Sequence, residues 1–124
     1  MKPHKQMTFL FDLDDTLIRT KNRDYMNSVP IQERIDHVNK LYNEGHFIKI
    51  ETARGVVSGI DWYKRTFDQL VGFGLKFHTL RTGVKQHYDV QVCDKSVNTD
   101  AYFRMVFLYD NPDQRAIDAA MEQL

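Results

Sequence analysis

Three carboxylates lie within four positions of this sequence, at Asp12, Asp14 and Asp15, directly after the apolar run from Met7 to Phe11. Acids this close to one another beside a buried strand repel and lose hydration, which raises the free energy of their ionised forms. A divalent cation would offset that cost, and magnesium prefers carboxylate oxygens. The alternative is a solvated acidic turn, in which one aspartate caps a helix and the others face water. These residues alone leave both interpretations open.

The apolar pattern around these acids predicts alternating strands and helices. Short apolar runs are typical of buried strands, whereas apolar positions three and four residues apart are typical of a helix face. Proline and glycine residues mark the helix ends, at Pro30 and Gly45 for the first helix and at Gly72 and Gly74 for the second. The predicted strands cover residues 7–11, 46–50, 76–80 and 88–93, and the predicted helices cover residues 30–45 and 58–74. The apolar face is formed by Ile31, Ile35, Val38, Leu41 and Tyr42 in the first helix and by Ile60, Tyr63, Phe67 and Leu70 in the second.

The order of elements favours an α/β fold. Right-handed crossovers between the strands give a mainly parallel sheet with helices on both faces, a three-layer Rossmann-like arrangement. Ligands of such sheets bind outside the carboxyl ends of the strands, where the three acids lie. Residues 101–109 fit either a helix or a strand, and a helix start is predicted at Asn111 and Pro112. No linker or repeat divides the chain, so we expect a single domain over residues 1–124.

Composition narrows the class of protein. The chain has 124 residues with 17 basic and 17 acidic side chains, which gives no basic excess for a nucleic acid or an anionic membrane. A lone cysteine, Cys93, excludes an intrachain disulfide and a four-cysteine zinc site. The first apolar run ends at Asp12 and is too short for a signal peptide or a membrane span. We therefore expect a cytoplasmic protein that does not act at a membrane.

The segment from Phe11 to Leu17 resembles motif one of the haloacid dehalogenase (HAD) superfamily, in which an apolar strand is followed by Asp-x-Asp-x-Thr. Asp12, Asp14 and Thr16 match that pattern. The resemblance implies that Asp12 is a nucleophile that attacks phosphorus and becomes an aspartyl-phosphate. It implies that Asp14 is the general acid toward the leaving group and then the general base toward water. A carboxylate nucleophile divides one difficult displacement into two easier steps.

Three residues are candidates for phosphate binding. Motif two of the superfamily is a Thr or Ser after the second strand, where Thr52 lies, and its alternative is a turn or cap hydroxyl. Arg54 offers a planar fork to phosphate or carboxylate, and its alternative is an exposed surface arginine. Motif three is a lysine that balances charge on the nucleophile and the phosphate. We place it at Lys85, whose alternative is a solvated loop lysine.

Motif four supplies acids that complete a magnesium site, and Cys93 and Asp94 stand at that place. The resemblance implies that Asp94 binds Mg²⁺ together with Asp12 and the main-chain carbonyl of Asp14. Its members usually carry two adjacent acids there, and a thiol is a poor ligand for magnesium. Cys93 is therefore either a small buried residue at a strand end or a reactive thiol. Further candidate ligands are Asp89 and Asp100.

Over about residues 7 to 100 the chain is similar to a subgroup of small HAD proteins without a cap domain, often associated with bacterial capsule and surface-polysaccharide loci. One helix separates motifs one and two, which leaves no room for an inserted lid. An open site of this kind accepts a large phosphorylated partner or relies on a second subunit. The aromatic-rich tail, with Tyr102, Phe103, Phe107 and Tyr109, either forms the interface of a homo-oligomer or packs onto the core of its own chain. The matching pieces are Asp24-Tyr25, Pro30-Ile31, Leu41-Tyr42, Glu44-Gly45-His46, Thr52-Ala53-Arg54-Gly55, Gly59-Ile60-Asp61-Trp62, Tyr88-Asp89 and Asp94-Lys95.

The leading hypothesis is a magnesium-dependent phosphatase that acts on a small phosphorylated metabolite such as a sugar phosphate. A second hypothesis is a phosphate-binding or regulatory module in which Cys93 impairs turnover. A third is a phosphatase that processes nucleic-acid ends, which the neutral charge disfavours, although Arg19, Lys21 and Arg23 form a local basic patch after motif one. Motifs describe the shared phosphoryl chemistry and leave the substrate open.

Overall fold

The structure, a computed structural model, describes residues 5–84 and 97–107. Met1–Gln86 and His87–Leu124 form two compact units, and the single domain predicted over the whole chain stays a prediction. In chain order the elements are β1 (Thr8–Asp12), β2 (Ile18–Arg19), a 3-10 helix (Tyr25–Asn27), β3 (Val29–Pro30), α1 (Gln32–Asn43), β4 (Phe47–Glu51), α2 (Tyr63–Gly72), β5 (Thr79–Arg81) and α3 (Thr99–Val106).

The first unit contains a parallel sheet in which β4 lies between β1 and β5. Phe11, Ile50 and Leu80 are aligned across the three strands and are buried. Helix α1 packs against β4 and α2 packs against β5. Residues aligned in a parallel sheet share one face, so these side chains form a single apolar layer beneath the strands. The fold is α/β and Rossmann-like, with a mainly parallel sheet, as the sequence predicted.

Helix α1 begins later than the sequence predicted, because β2 and β3 form a two-stranded antiparallel ribbon that the apolar pattern did not indicate. Ile18 is paired with Pro30 in this ribbon, and Arg19 is paired with Val29. The N–H of Ile31 donates to the carbonyl of Leu17 at 3.0 Å. Pro30 therefore ends the ribbon, and the prediction that it opens the helix is wrong.

The apolar face predicted for α2 is also wrong in part. Tyr63 and Phe67 are exposed, at 43% and 39%, and the buried side chains of this helix are Thr66 and Leu70. The exposed rings stack on each other with centroids 6.1 Å apart. Thr66 is buried because its hydroxyl accepts a hydrogen bond from a buried arginine. The buried face of α2 therefore contains both polar and apolar side chains.

The second unit is described over residues 97–107. Of the two alternatives for residues 101–109, the described part is helical, since it belongs to α3 as far as Val106. Asn98 caps this helix by accepting hydrogen bonds from the N–H groups of Asp100 and Ala101. Tyr102 and Phe103 are buried, whereas Phe107 is 45% exposed, and an oligomer interface at the tail stays a prediction. The predicted strand 88–93 and the predicted helix after residue 111 lie outside the described residues.

Among the described residues, no helix combines the length and the apolar character that crossing a membrane requires.

Candidate active site

The acidic residues at the end of β1 lie on a tight turn that is held by main-chain hydrogen bonds and by buried apolar side chains. The carbonyl of Leu13 accepts hydrogen bonds from the N–H groups of Thr16, Leu17 and Ile18, at 3.1, 2.9 and 3.3 Å. Leu13, Leu17 and Ile18 are fully buried. Asp15 has a φ of 63°, a backbone conformation that aspartate tolerates better than most residues. The turn therefore presents its acidic side chains at the carboxyl end of the strand while its apolar side chains fix it to the core.

Asp12 carries a carboxyl group whose ionised form is disfavoured. Although the residue is exposed, the protein atoms around its carboxyl group displace water, and this desolvation is the main cause that raises its pKa above the usual 3.8. The N–H of Leu13 and the hydroxyl of Thr16 donate to the carboxylate and offset part of the rise. The negative charges of Asp14 and Asp15 add to it. Asp12 is thus an accessible acid that a cation would stabilise.

Asp14 is held by donors from three residues in two segments of the chain, one after β2 and one after β4. Its Oδ1 accepts a hydrogen bond from the Thr20 hydroxyl at 2.6 Å, and its Oδ2 accepts one from the Thr52 hydroxyl at 3.1 Å. The Nη2 of Arg54 lies 2.9 Å from Oδ1, and Nε lies 3.3 and 3.2 Å from the two oxygens. The predicted residue Asp14 is therefore brought together with the predicted residues Thr52 and Arg54, which lie 38 and 40 positions later in the sequence.

Arg54 is buried, and the alternative of an exposed surface arginine is wrong. The residue is 1% exposed, and its Nη1 donates to the hydroxyl of Thr66 at 3.2 Å and to the Oε1 of Gln69 at 2.8 Å. The ring of Tyr25 covers a face of the guanidinium, with 4.6 Å between Cζ and the ring centroid. All three nitrogen atoms therefore have acceptors within the protein, and the Asp14 carboxylate compensates the buried charge.

The supporting residues were not predicted from the sequence. Gln69 also donates to the carbonyl of Tyr25 at 2.6 Å, which ties α2 to the 3-10 helix. The hydroxyls of Thr20 and Ser28 lie 2.7 Å apart across the β2–β3 ribbon. One available signal was the pair Thr66 and Gln69, polar residues one turn apart beside the buried Leu70. Tyr25 belongs to one of the matching pieces named above, without a role assigned to it, and no pattern marks Ser28.

A second row of charged residues crosses the sheet at the same edge. Asp12 is aligned with Glu51, and Glu51 is aligned with Arg81. The Nη1 of Arg81 donates to the Oε2 of Glu51 at 3.1 Å. Glu51 was not among the predicted site residues, yet its register places it beside the predicted nucleophile.

The loop after β4 passes close to its own backbone and exposes apolar side chains. Gly55 has a φ of 94°, and a Cβ at this position would collide with the carbonyl oxygen of Ile60. Val56, Val57 and Ile60 are exposed, at 42%, 78% and 51%. Only glycine fits the start of this loop, which carries Thr52 and Arg54 at its base.

The remaining predicted ligands and phosphate-binding residues lie outside the described residues or in the second unit. Lys85, Cys93, Asp94 and Asp89 lie outside the described residues, and Asp100 lies in α3 of the second unit. Within residues 5–84 and 97–107, no group of three or more histidine, cysteine or acidic residues is arranged to hold a metal ion. Arg19, Lys21 and Arg23 are exposed around the β2–β3 ribbon.

No family model matches the sequence, and no curated protein matches it. The crystal structure of an MCSG target from Vibrio cholerae is similar to this chain, with a TM-score of 0.70 and 18% sequence identity. The match covers 95% of this chain and 96% of that chain. At this identity the likeness shows the α/β fold alone, and the name of that protein states no activity.

Proposed function

We propose that this chain is a magnesium-dependent phosphatase of the HAD type, which hydrolyses a small phosphorylated metabolite in the cytoplasm. The observation that carries the proposal is the convergence of acids from β1 with a hydroxyl from β4 at one sheet edge. The Thr52 hydroxyl lies 3.1 Å from Asp14 Oδ2, and Asp14 is two positions after the accessible Asp12. Such an edge is where ligands of parallel α/β sheets bind.

Asp12 is the nucleophile in this proposal. A carboxylate oxygen of Asp12 attacks phosphorus as the bond to the leaving oxygen breaks, which gives an aspartyl-phosphate and a free alcohol. Desolvation raises the pKa of Asp12, so its ionised form is held at higher free energy than a carboxylate in water. That cost is relieved when negative charge moves from Asp12 onto the phosphoryl group.

Asp14 transfers the protons. In its protonated form it gives a proton to the departing oxygen in the first step. In the second step it takes one from the water that attacks the aspartyl-phosphate, which releases phosphate, frees Asp12 and restores the protonated Asp14. Its side chain is 24% exposed, so a substrate can reach it. The Thr52 hydroxyl donates to Asp14 Oδ2 in this structure, and we propose that it donates to a phosphoryl oxygen instead when substrate binds. Lys85 is proposed to balance phosphate charge.

The oxygen donors at the end of β1 are of the kind that magnesium prefers. Asp12 offers a hard carboxylate oxygen whose ionised form is disfavoured by desolvation, and Asp14 offers a main-chain carbonyl. We assign the ion to Asp12, the carbonyl of Asp14, and Asp94. When bound, Mg²⁺ supplies positive charge next to the phosphoryl oxygens. The Asp14 carboxylate is engaged by Arg54, which leaves Asp12 as the principal ligand on the described turn.

Hydrolysis of 4-nitrophenyl phosphate in the presence of Mg²⁺ tests the proposal. We expect Asp12→Asn to lose activity by more than about 10³-fold, since a carboxamide is not a competent nucleophile. The exposed neighbour Asp15→Asn, which retains a residue tolerant of positive φ, should keep most of the activity.

Thermal unfolding of the same variant separates this loss from a damaged fold. Because the pKa of Asp12 is raised in the folded chain, the ionised carboxylate lowers stability at pH 7, and Asp12→Asn should unfold at the same or a higher temperature than the parent. Full activity in Asp12→Asn would contradict the assignment of the nucleophile. A parent without phosphatase activity would contradict the proposed function itself.

A further inference from the structure

Arg54 and Asp14 differ sharply in their access to solvent. The Arg54 side chain is 0% exposed and the Asp14 side chain is 24% exposed, although the two groups form an ion pair at 2.9 Å. A substrate can therefore reach the carboxylate but not the guanidinium. An arginine that binds substrate phosphate must present at least one free N–H group to that phosphate. The Nε of Arg54 donates to Asp14, its Nη1 donates to Thr66 and Gln69, and its Nη2 donates to Asp14 and, at 3.5 Å, to Ser28.

From this geometry we infer that Arg54 is a positioning residue, which holds the Asp14 carboxylate for proton transfer and does not bind substrate phosphate. The inference rests on the proposed function, in which Asp14 is the general acid. It replaces the phosphate-binding role that the sequence pattern suggested for Arg54.

The guanidinium fixes Asp14 in a way that its other partners do not. Thr20 and Thr52 each give one hydroxyl hydrogen bond to the carboxylate, whereas Arg54 approaches both oxygens through Nε and one of them through Nη2. A planar fork sets the orientation of a carboxylate, whereas single hydroxyl donors leave it free to rotate. Arg54 therefore determines the orientation from which Asp14 delivers its proton.

The guanidinium is itself anchored from behind. Gln69 Oε1 accepts from Nη1 at 2.8 Å, the Thr66 hydroxyl accepts from the same nitrogen at 3.2 Å, and the Tyr25 ring lies 4.6 Å from Cζ. A lysine would keep the positive charge but could not reach Asp14 and the acceptors on α2 together. Arg54→Lys therefore removes the orientation and retains the charge.

Leaving-group dependence tests the inference. A general acid matters for phenyl phosphate, whose leaving group needs a proton, and matters little for 4-nitrophenyl phosphate, whose leaving group departs as a stable anion. The two esters are similar in shape, and kcat/KM reports the steps up to departure of the leaving group. For Arg54→Lys we expect kcat/KM to fall about 10²-fold with phenyl phosphate and less than about tenfold with 4-nitrophenyl phosphate.

Arg65→Lys is the matched control, because Arg65 also lies over an aromatic ring, 5.1 Å from the centroid of Trp62, and is exposed. It should change neither rate. Equal losses with both esters for Arg54→Lys would overturn the inference. Equal losses together with weaker inhibition by inorganic phosphate would show that Arg54 binds phosphate. Equal losses together with only a lower Tm would show that Arg54 has a structural role.

Gln69→Met provides a second variant should Arg54→Lys fail to fold. It removes an acceptor of Arg54 Nη1 without touching Asp14, so it should shift the ratio of the two rates in the same direction by a smaller factor. An unchanged ratio would overturn the inference. A parent protein that is inactive toward both esters would overturn the proposed function and the positioning role together. An active parent, with the same ratio of the two kcat/KM values in the variants, would overturn the positioning role alone.

Discussion

Acid should destabilise this fold through one buried histidine. His37 lies on α1 and is 5% exposed. Its pKa is lowered from 6.5 to about 4, mainly by burial and in smaller part by the positive charge of Lys40, one turn later on the helix. Between these two pH values the folded chain keeps His37 neutral while the unfolded chain takes up a proton.

The sign and the size of the effect follow from this difference in proton binding. The unfolded state binds more protons between pH 6.5 and about 4, so the free energy of unfolding falls as the pH falls through this range. At about 1.4 kcal/mol for each pH unit, the gap corresponds to a loss of about 3 kcal/mol. The contribution is fully present above pH 6.5 and is lost once the pH falls below about 4.

Urea unfolding of the parent and of His37→Gln at several pH values between 7 and 4 measures this loss. Glutamine does not titrate, and the other ionisable groups are shared by both proteins and cancel in the difference. We expect the stability of the parent relative to His37→Gln to fall by about 3 kcal/mol from neutral to acid pH. Lys40→Gln, which removes the second cause, should reduce the loss seen in the parent. Parallel stability curves for the parent and His37→Gln would refute the reasoning.

Two further predictions concern the loop and helix that support Arg54. Gly55→Ala should lower the free energy of unfolding by about 2 kcal/mol or more, because a Cβ there meets the carbonyl of Ile60. Gly59 also has a positive φ but has open space around it, so Gly59→Ala should lower the free energy of unfolding by only about 1 kcal/mol. Equal losses in urea unfolding would contradict the close approach. Thr66→Val should cost about 1–3 kcal/mol, because it removes a buried acceptor of Arg54 while keeping the volume. Thr66→Ser, which keeps the oxygen, should cost less by the same measurement, and the reverse order would count against this hydrogen bond.

The framework of the fold could be predicted because its signals are local. The apolar run before Asp12 and the apolar positions Ile35, Val38 and Leu41 specify a strand and a helix by their spacing, and both are observed. Strand β5 shows the limit of such signals. It begins at Thr79 rather than at residue 76, because the N–H of Lys76 donates to Asn39 of α1 instead of to a neighbouring strand.

The acids of the candidate site could also be predicted, but their partners could not. Asp12 and Asp14 are marked by their place at a strand end. Arg54 was recognised as a candidate but not as a buried group, since burial of a charge depends on a counter-charge that the sequence places far away. Thr66 and Gln69 become relevant only because α2 turns that face toward Arg54, which is a tertiary contact with no local signature.

The distance along the chain between Asp14 and Arg54 has a consequence for biosynthesis. The two residues are 40 positions apart, and Gln69 lies 15 positions beyond Arg54. A chain emerging from the ribosome contains the acidic turn and α1 before it contains Arg54 or α2, the helix that anchors Arg54. The entropy cost of closing so long a loop must then be overcome before Asp14 and Arg54 come into contact. The acid therefore remains without its orienting partner until α2 has been synthesised, so proton-transfer geometry is among the last features that the first unit can acquire.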